Sequence, residues 1–104
     1  MSIQIPYISE KPLVNDILMF FSDCLSILVY SNLSFTEYQE AQDVLFPEMA
    51  RIYKLNAHSF EPKTVKRLYT LIFSIPDKEL KDKINSLLWK QNLKSLKSIS
   101  FING

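Results

Sequence analysis

An all-α domain, a compact bundle of about five helices, is the fold class this sequence predicts. Three observations predict it. Val65, Leu68, Tyr69, Ile72 and Phe73 recur at the helical period within residues 62–75, and Leu80, Ile84, Leu87 and Leu88 do so in the next run. Ser34-Phe-Thr-Glu37 has the form of a capping box, in which a hydroxyl and a carboxylate each satisfy a free backbone donor at a helix start. Residues 17–30, ILMFFSDCLSILVY, are apolar on almost every side of a helix, as in a buried core element. With no internal repeat, low-complexity segment or linker, the 104 residues form one domain of common size.

In chain order, residues 1–11 lack helical period, carry Pro6 and read as an extended arm. Too little basic charge precedes their apolar residues for a secretory signal, so a cytoplasmic product is expected. Pro12 can open the first helix, with Ser9 or Lys11 near its cap, and the helix should run to Tyr30 or Asn32. Its apolar stretch is interrupted by Asp23 and is shorter than the roughly 20 residues a membrane span needs. It therefore reads as a central core helix, with residues 13–30 also able to line a homodimer or heterodimer interface. Asp23 and Cys24 on it read as a satisfied polar group and a small core side chain rather than as a reactive pair.

The capping box starts a second helix with Tyr38, Ala41, Leu45 and Phe46 inward and Glu37, Glu40 and Asp43 outward. Pro47 should break or kink it and begin a short further helix through Met49, Ile52 and Tyr53. Residues 54–61 read as a loop. Pro62 suits the first position of the helix over 62–75, and Pro76 stops it. In the last helix Lys78, Lys81, Asp82, Lys83 and Asn85 should face outward, with Trp89 closing the core and Asn92 marking the end. Residues 93–104 are compatible with a short helix, a docking strand or a flexible tail.

Composition narrows the chemistry. One cysteine and one histidine leave no disulfide, thiolate zinc cluster or catalytic triad, and a single glycine, Gly104, leaves no glycine-rich phosphate loop. No catalytic residue, metal or cofactor is expected, and the chain does not read as an enzyme. Glu37 and Glu40 read as a solvated face. His58, in a polar loop, reads as solvent-exposed, with a phosphate contact as the alternative.

The net charge of +1 conceals an opposition between the halves. Residues 1–50 carry Lys11 against seven acids, a net −6, and residues 51–104 carry eleven basic residues against four acids, a net +7. Such a split suits either a C-terminal surface for a polyanion or mutual attraction of the halves within the fold. The helix over 62–75 concentrates it, because Lys63, Lys66, Arg67 and Thr70 lie opposite its apolar stripe with no carboxylate among them.

VLFPEMARIY at 44–53 and TVKRLYTLIF at 64–73 together resemble the C-terminal DNA-binding effector domain of the stage 0 sporulation response regulator of endospore-forming bacteria. That domain carries a V-L-F/Y-P-D/E-I/M-A-K/R segment as the first helix of a helix-turn-helix, followed by a V-x-R recognition helix. DCLSILVY at 23–30 stands where the family has a similar apolar helix. The resemblance implies a cytoplasmic bacterial DNA-binding protein acting in transcription regulation, here without a receiver domain. Pro47 to Tyr53 would be the positioning helix, residues 62–75 would enter the major groove, and the helix-turn-helix-like pair would span about 47–75. Arg67 would read bases with Lys66 or Thr70 assisting, and Lys63, Arg51, Lys54 and Lys90 would contact phosphate. The sequence departs from the family in a longer loop between the two helices, and in Thr70 and Leu71 where the family has arginine and histidine.

PLVNDILMFF at 12–21 and SFTEYQE at 34–40 resemble the helix pair of pediocin-like bacteriocin immunity proteins, which are cytosolic four-helix bundles in which this pair lies near the C-terminus. That resemblance implies a different class, a small helical immunity or partner-binding protein without a DNA role.

Overall fold

A computed structural model describes residues 3–96, with side chains through residue 88. The described residues form four α-helices and one 3₁₀ turn, with no strand among them. They are α1 (Val14–Tyr30), α2 (Phe35–Asn56), the 3₁₀ turn Ala57–Ser59, α3 (Pro62–Phe73) and α4 (Lys78–Leu96). The fold class is therefore all-α, with four helices where about five were expected.

The missing helix is the one Pro47 was expected to start. Instead α2 runs unbroken for 22 residues with Pro47 inside it. Proline removes the N–H that would bond the Asp43 carbonyl and crowds that carbonyl, a cost of about 3 kcal/mol in a helix interior. The fold bears it because Ala41, Gln42, Leu45, Met49, Ile52 and Tyr53 are all buried on one stripe that crosses the proline, while Pro47 itself is exposed. Packing on both sides of the break outweighs the local preference for ending.

The start of α2 follows the sequence closely. The Ser34 Oγ accepts from the Glu37 N–H at 3.2 Å, and the Glu37 carboxylate accepts from the Ser34 N–H at 3.0 Å. The Ser34 backbone bond, followed by its hydroxyl, holds the Glu37 carboxyl below its ordinary value near 4.5. A depressed carboxyl contributes stability that is present above the unfolded pKa and lost as pH falls through the folded one. Ser34→Ala should cost about 1 kcal/mol at neutral pH. Glu37→Ala should destabilise at pH 7, with the gap from wild type closing as the pH is lowered below about 4 in parallel urea titrations. A gap independent of pH would show that the carboxylate does not cap the helix.

The other helix ends differ in detail from the expectations. Pro12 precedes α1 rather than opening it, and the Asp16 carboxylate accepts from the Leu13 N–H at 2.9 Å. After α1 the chain reverses at Asn32, the one described non-glycine residue with positive φ, 54°, where asparagine is among the better tolerated residues. In α4 the Asp77 Oδ1 accepts from the backbone N–H of Glu79 at 2.9 Å and Leu80 at 3.3 Å. That helix passes the expected stop at Asn92 and continues to Leu96. The expectation for Trp89 falls outside the described side chains, and that for residues 97–104 outside the described residues.

Helix packing sets where the surfaces lie. α1 packs on α2 and α3, and α4 packs on α2 and α3, so α2 and α3 stand diagonally across the core. The core is continuous, from Phe20, Phe21 and Cys24 of α1 through Leu45, Met49 and Tyr53 of α2 to Leu68 and Ile72 of α3 and Leu80, Ile84 and Leu88 of α4. Residues 3–12 carry no helix or strand and run from the far end of α1, where Ile3 lines a hollow with Ile27 and Leu33, to the last turns of α2, where Ile8 and Pro12 line another with Ile52 and Asn56.

The Cys24 side chain is fully buried. Burial first, then the charges of Asp23 and Glu48, push its thiol up to about 12, so it behaves as a small apolar core group. In native protein at pH 8 an aromatic disulfide reagent should leave Cys24 unmodified, and labelling should begin only as denaturant opens the fold. Rapid native labelling would contradict the packing of α1.

Candidate functional site

α3 is the element on which the sequence places its site. Pro62 occupies the first helical turn as expected, and Thr64 and Val65 donate to the Glu61 carbonyl at 2.9 and 3.2 Å. Its inward face is turned from the expected one. Thr64, Leu68 and Ile72 are buried, and Ile75 continues the row past the helix end. Val65 and Tyr69 are half-buried, and Phe73 is 56% exposed, stacked on Tyr69 with ring centroids 5.9 Å apart. Contact with both α1 and α4 turns the Thr64 side of the helix inward in place of the Phe73 side that the spacing predicts.

Lys63, Lys66, Arg67 and Thr70 are all exposed. No ion pair involves Lys63, Lys66 or Arg67 among the described residues, so these cations are not neutralised by acids of the first half of the chain. Thr70 is committed in part, its hydroxyl donating to the Lys66 carbonyl at 2.8 Å. Arg51 differs, because its Nη2 donates to Glu48 Oε1 at 2.8 Å one turn back on the same helix. Lys54 is exposed in the last turn of α2, where its charge favours the helix dipole.

Helix direction decides which of these residues share a surface. Ser9, Glu10 and Pro12 lie beside Arg51, Leu55 and Asn56, and Asn15 lies beside Arg67. The start of α1, the end of α2 and the start of α3 therefore meet at one end of the bundle. That end carries Lys11, Arg51, Lys54, Lys63, Lys66 and Arg67 with His58, against Glu10, Asp16, Glu48 and Glu61. At the opposite end the starts of α2 and α4 converge, where burial first, and then the nearby charges of Asp77 and Glu79, push the Tyr38 hydroxyl above its ordinary value. Glu37, Glu40, Asp43, Asp77, Glu79 and Asp82 lie there against Lys78, Lys81 and Lys83. Within that group Lys78 pairs with Asp82 at 2.7 Å and Lys83 with Glu79 at 3.7 Å. Among these residues the first end is net basic, six cations against four acids, and the opposite end net acidic, six acids against three lysines, with both halves of the chain contributing to each.

The expected helix-turn-helix pair is not confirmed. A separate positioning helix over 47–53 does not form, because that segment lies in the second half of α2. α2 and α3 lie diagonally instead of packing as a close pair, and the 3₁₀ turn with Phe60 and Glu61 separates them. Phe60 is tied to α2 by an edge-on contact with Tyr53, centroids 6.1 Å apart.

A feature that the sequence reading missed lies along the same helix. A groove of about 630 Å³ runs between α1 and α3, lined by Asn15, Leu18, Met19 and Ser22 on one side and Arg67, Thr70 and Leu71 on the other. A smaller hollow continues it past Ser22 and Leu71 to Ser26, Val29 and Tyr30 of α1 and Ser74 and Ile75 of α3. A readable signal existed. Asn15, Met19, Ser22 and Ser26 recur at i, i+4, i+7 and i+11 along α1, a row of polar and flexible side chains at helical spacing.

No cluster of three or more histidine, cysteine or acidic side chains suited to a metal ion occurs among the described residues, and no helix among them is long and apolar enough to cross a membrane. No protein-family model, curated protein or solved structure matches the chain.

Proposed function

We propose that this protein binds duplex DNA, chiefly through phosphate contacts made from the basic end of the bundle, and acts as a small transcription regulator of the kind the sporulation effector resemblance implies. The observation that carries the reading is the row Lys63, Lys66 and Arg67 on α3, exposed and without an ion pair among the described residues. Unneutralised cations on a rigid helix release condensed counterions when they meet phosphate, which supplies most sequence-independent affinity. Lys54 and Lys11 extend the surface, while Arg51 contributes only by exchanging Glu48 for phosphate. Because the helix-turn-helix pairing is not confirmed, positioning on the backbone has more support than base readout. Arg67, with its planar fork, is the residue equipped to read guanine.

The test is a selection of preferred sites from randomised duplexes, followed by titrations on the selected site and on random DNA. Lys63→Ala should weaken both by a similar factor, whereas Arg67→Ala should lose more on the selected site, by about 1–3 kcal/mol. Equal losses from both variants on both DNAs would remove the division of labour, and no binding at low salt would retire the DNA reading.

A second reading is favoured by the α1–α3 groove. A small helical partner-binding protein of the bacteriocin-immunity type would use such a groove, and the expected homodimer or heterodimer through residues 13–30 would form on its α1 side. Met19 and Tyr30 on that side are 62% and 74% exposed, large apolar side chains left unpacked by the monomer.

A further inference from the structure

We propose that the groove between α1 and α3 is a docking site for an amphipathic helix of another protein, one that carries acidic residues along the flank facing α3. This inference rests on the partner-binding reading and gives it an occupant. The shape is that of a slot between two helices. Asn15 to Tyr30 spans about 22 Å at 1.5 Å per residue, enough for about four turns of a third helix. Leu18, Leu25, Leu71 and Ile75 form its floor, Ser22, Ser26 and Ser74 keep it open, and Met19 and Tyr30 rise at its rim. An apolar floor with flexible methionine at the edge suits the apolar stripe of an incoming helix.

Charge selects the flank. Arg67 is the one charged residue among those lining the groove, and Lys63 lies one turn before it on α3. Neither has an ion pair among the described residues. A carboxylate on the occupant would meet both, whereas a basic helix would meet only repulsion at this wall. The acidic row on α2 of a second copy is a poorer fit, since Phe35 is the only large apolar residue well exposed beside Thr36, Gln39, Glu40 and Asp43. An acidic helix in the slot would cover Arg67 and so compete with DNA for that side chain.

The probe is a capped synthetic helix of about 16 residues, matched to the groove length, with leucines at i, i+3, i+4 and i+7 and glutamates on one flank. Its counterparts are the same peptide with lysines for glutamates and a scrambled acidic peptide of equal composition. Fluorescence anisotropy should show micromolar binding of the acidic amphipathic peptide, with both counterparts at least tenfold weaker. Arg67→Glu should reverse the preference between acidic and lysine peptides. Met19→Asp, at an exposed position, should lower affinity about tenfold without changing the melting curve. Lys66→Ala, outside the groove lining, should weaken DNA binding and spare peptide binding, so the two readings can fail separately. Equal affinity for the acidic and lysine peptides, no binding of any peptide, or insensitivity to Met19→Asp would overturn the proposal. A dimer in sedimentation that Met19→Asp dissolves would overturn it in favour of a second copy as occupant.

Discussion

Replacing Lys63, Lys66 and Arg67 together with alanine should reduce binding to random-sequence duplex DNA by a hundredfold or more near 0.1 M salt, and should flatten the dependence of log K on log salt by about 2.7. Each phosphate contact contributes about 0.9 to that slope through counterion release. The three side chains are exposed and have no ion pair among the described residues, so their removal leaves the fold within about 0.5 kcal/mol of wild type. A salt titration by fluorescence anisotropy, with melting curves run in parallel, reads both quantities. An unchanged slope would mean that DNA, if bound, is held elsewhere on the basic end, and Lys54 and Lys11 would be the next residues to remove. Loss of affinity at a preserved slope would point away from phosphate and toward contacts with bases or sugars. Arg51→Ala should have a small effect beside these, because its charge is shared with Glu48 at 2.8 Å.

Pro47→Ala should stabilise the protein by about 1–3 kcal/mol, an unusually large gain for one exposed substitution. Alanine restores an N–H to the Asp43 carbonyl in the middle of α2 and removes the ring that crowds it. The gain is offset by the greater freedom of the unfolded chain without proline, worth up to about 1 kcal/mol. Urea titration should show a higher midpoint at unchanged slope, since the surface exposed on unfolding stays the same. A destabilised variant would mean that the backbone geometry imposed by Pro47 helps place Met49, Ile52 and Tyr53 in register with the neighbouring helices.

Much of the architecture was legible because its signals are local. The capping box at Ser34 and Glu37, Pro62 at the start of α3 and the row Leu80, Ile84 and Leu88 each depend on neighbours within one or two turns. The buried character of α1 was legible as well, although Met19 shows that an almost wholly apolar run can still present one side to solvent. Pro47 misled for a physical reason. A proline's local preference is strong, but the apolar stripe of α2 continues across it, and burial on both sides exceeds the cost of one lost hydrogen bond. Gln42 is a smaller case of the same kind. Its side chain is buried one turn from Tyr38, at a position where helical spacing placed no apolar residue.

The candidate site divides along the same line. Sequence alone determined that α3 carries a basic row and that the two halves of the chain are oppositely charged. Those are properties of residue identity and spacing. Only the tertiary structure decided that Lys63, Lys66 and Arg67 stay clear of the first half's acids and that one end of the bundle is net basic and the other net acidic. Only packing decided that α3 turns Thr64 inward and Phe73 outward, and that Asn15, Met19 and Ser22 of α1 face Arg67 across a groove. The reason is that a helix's own sequence specifies which residues share a face, whereas the neighbour that covers the face is chosen by the burial of the whole chain.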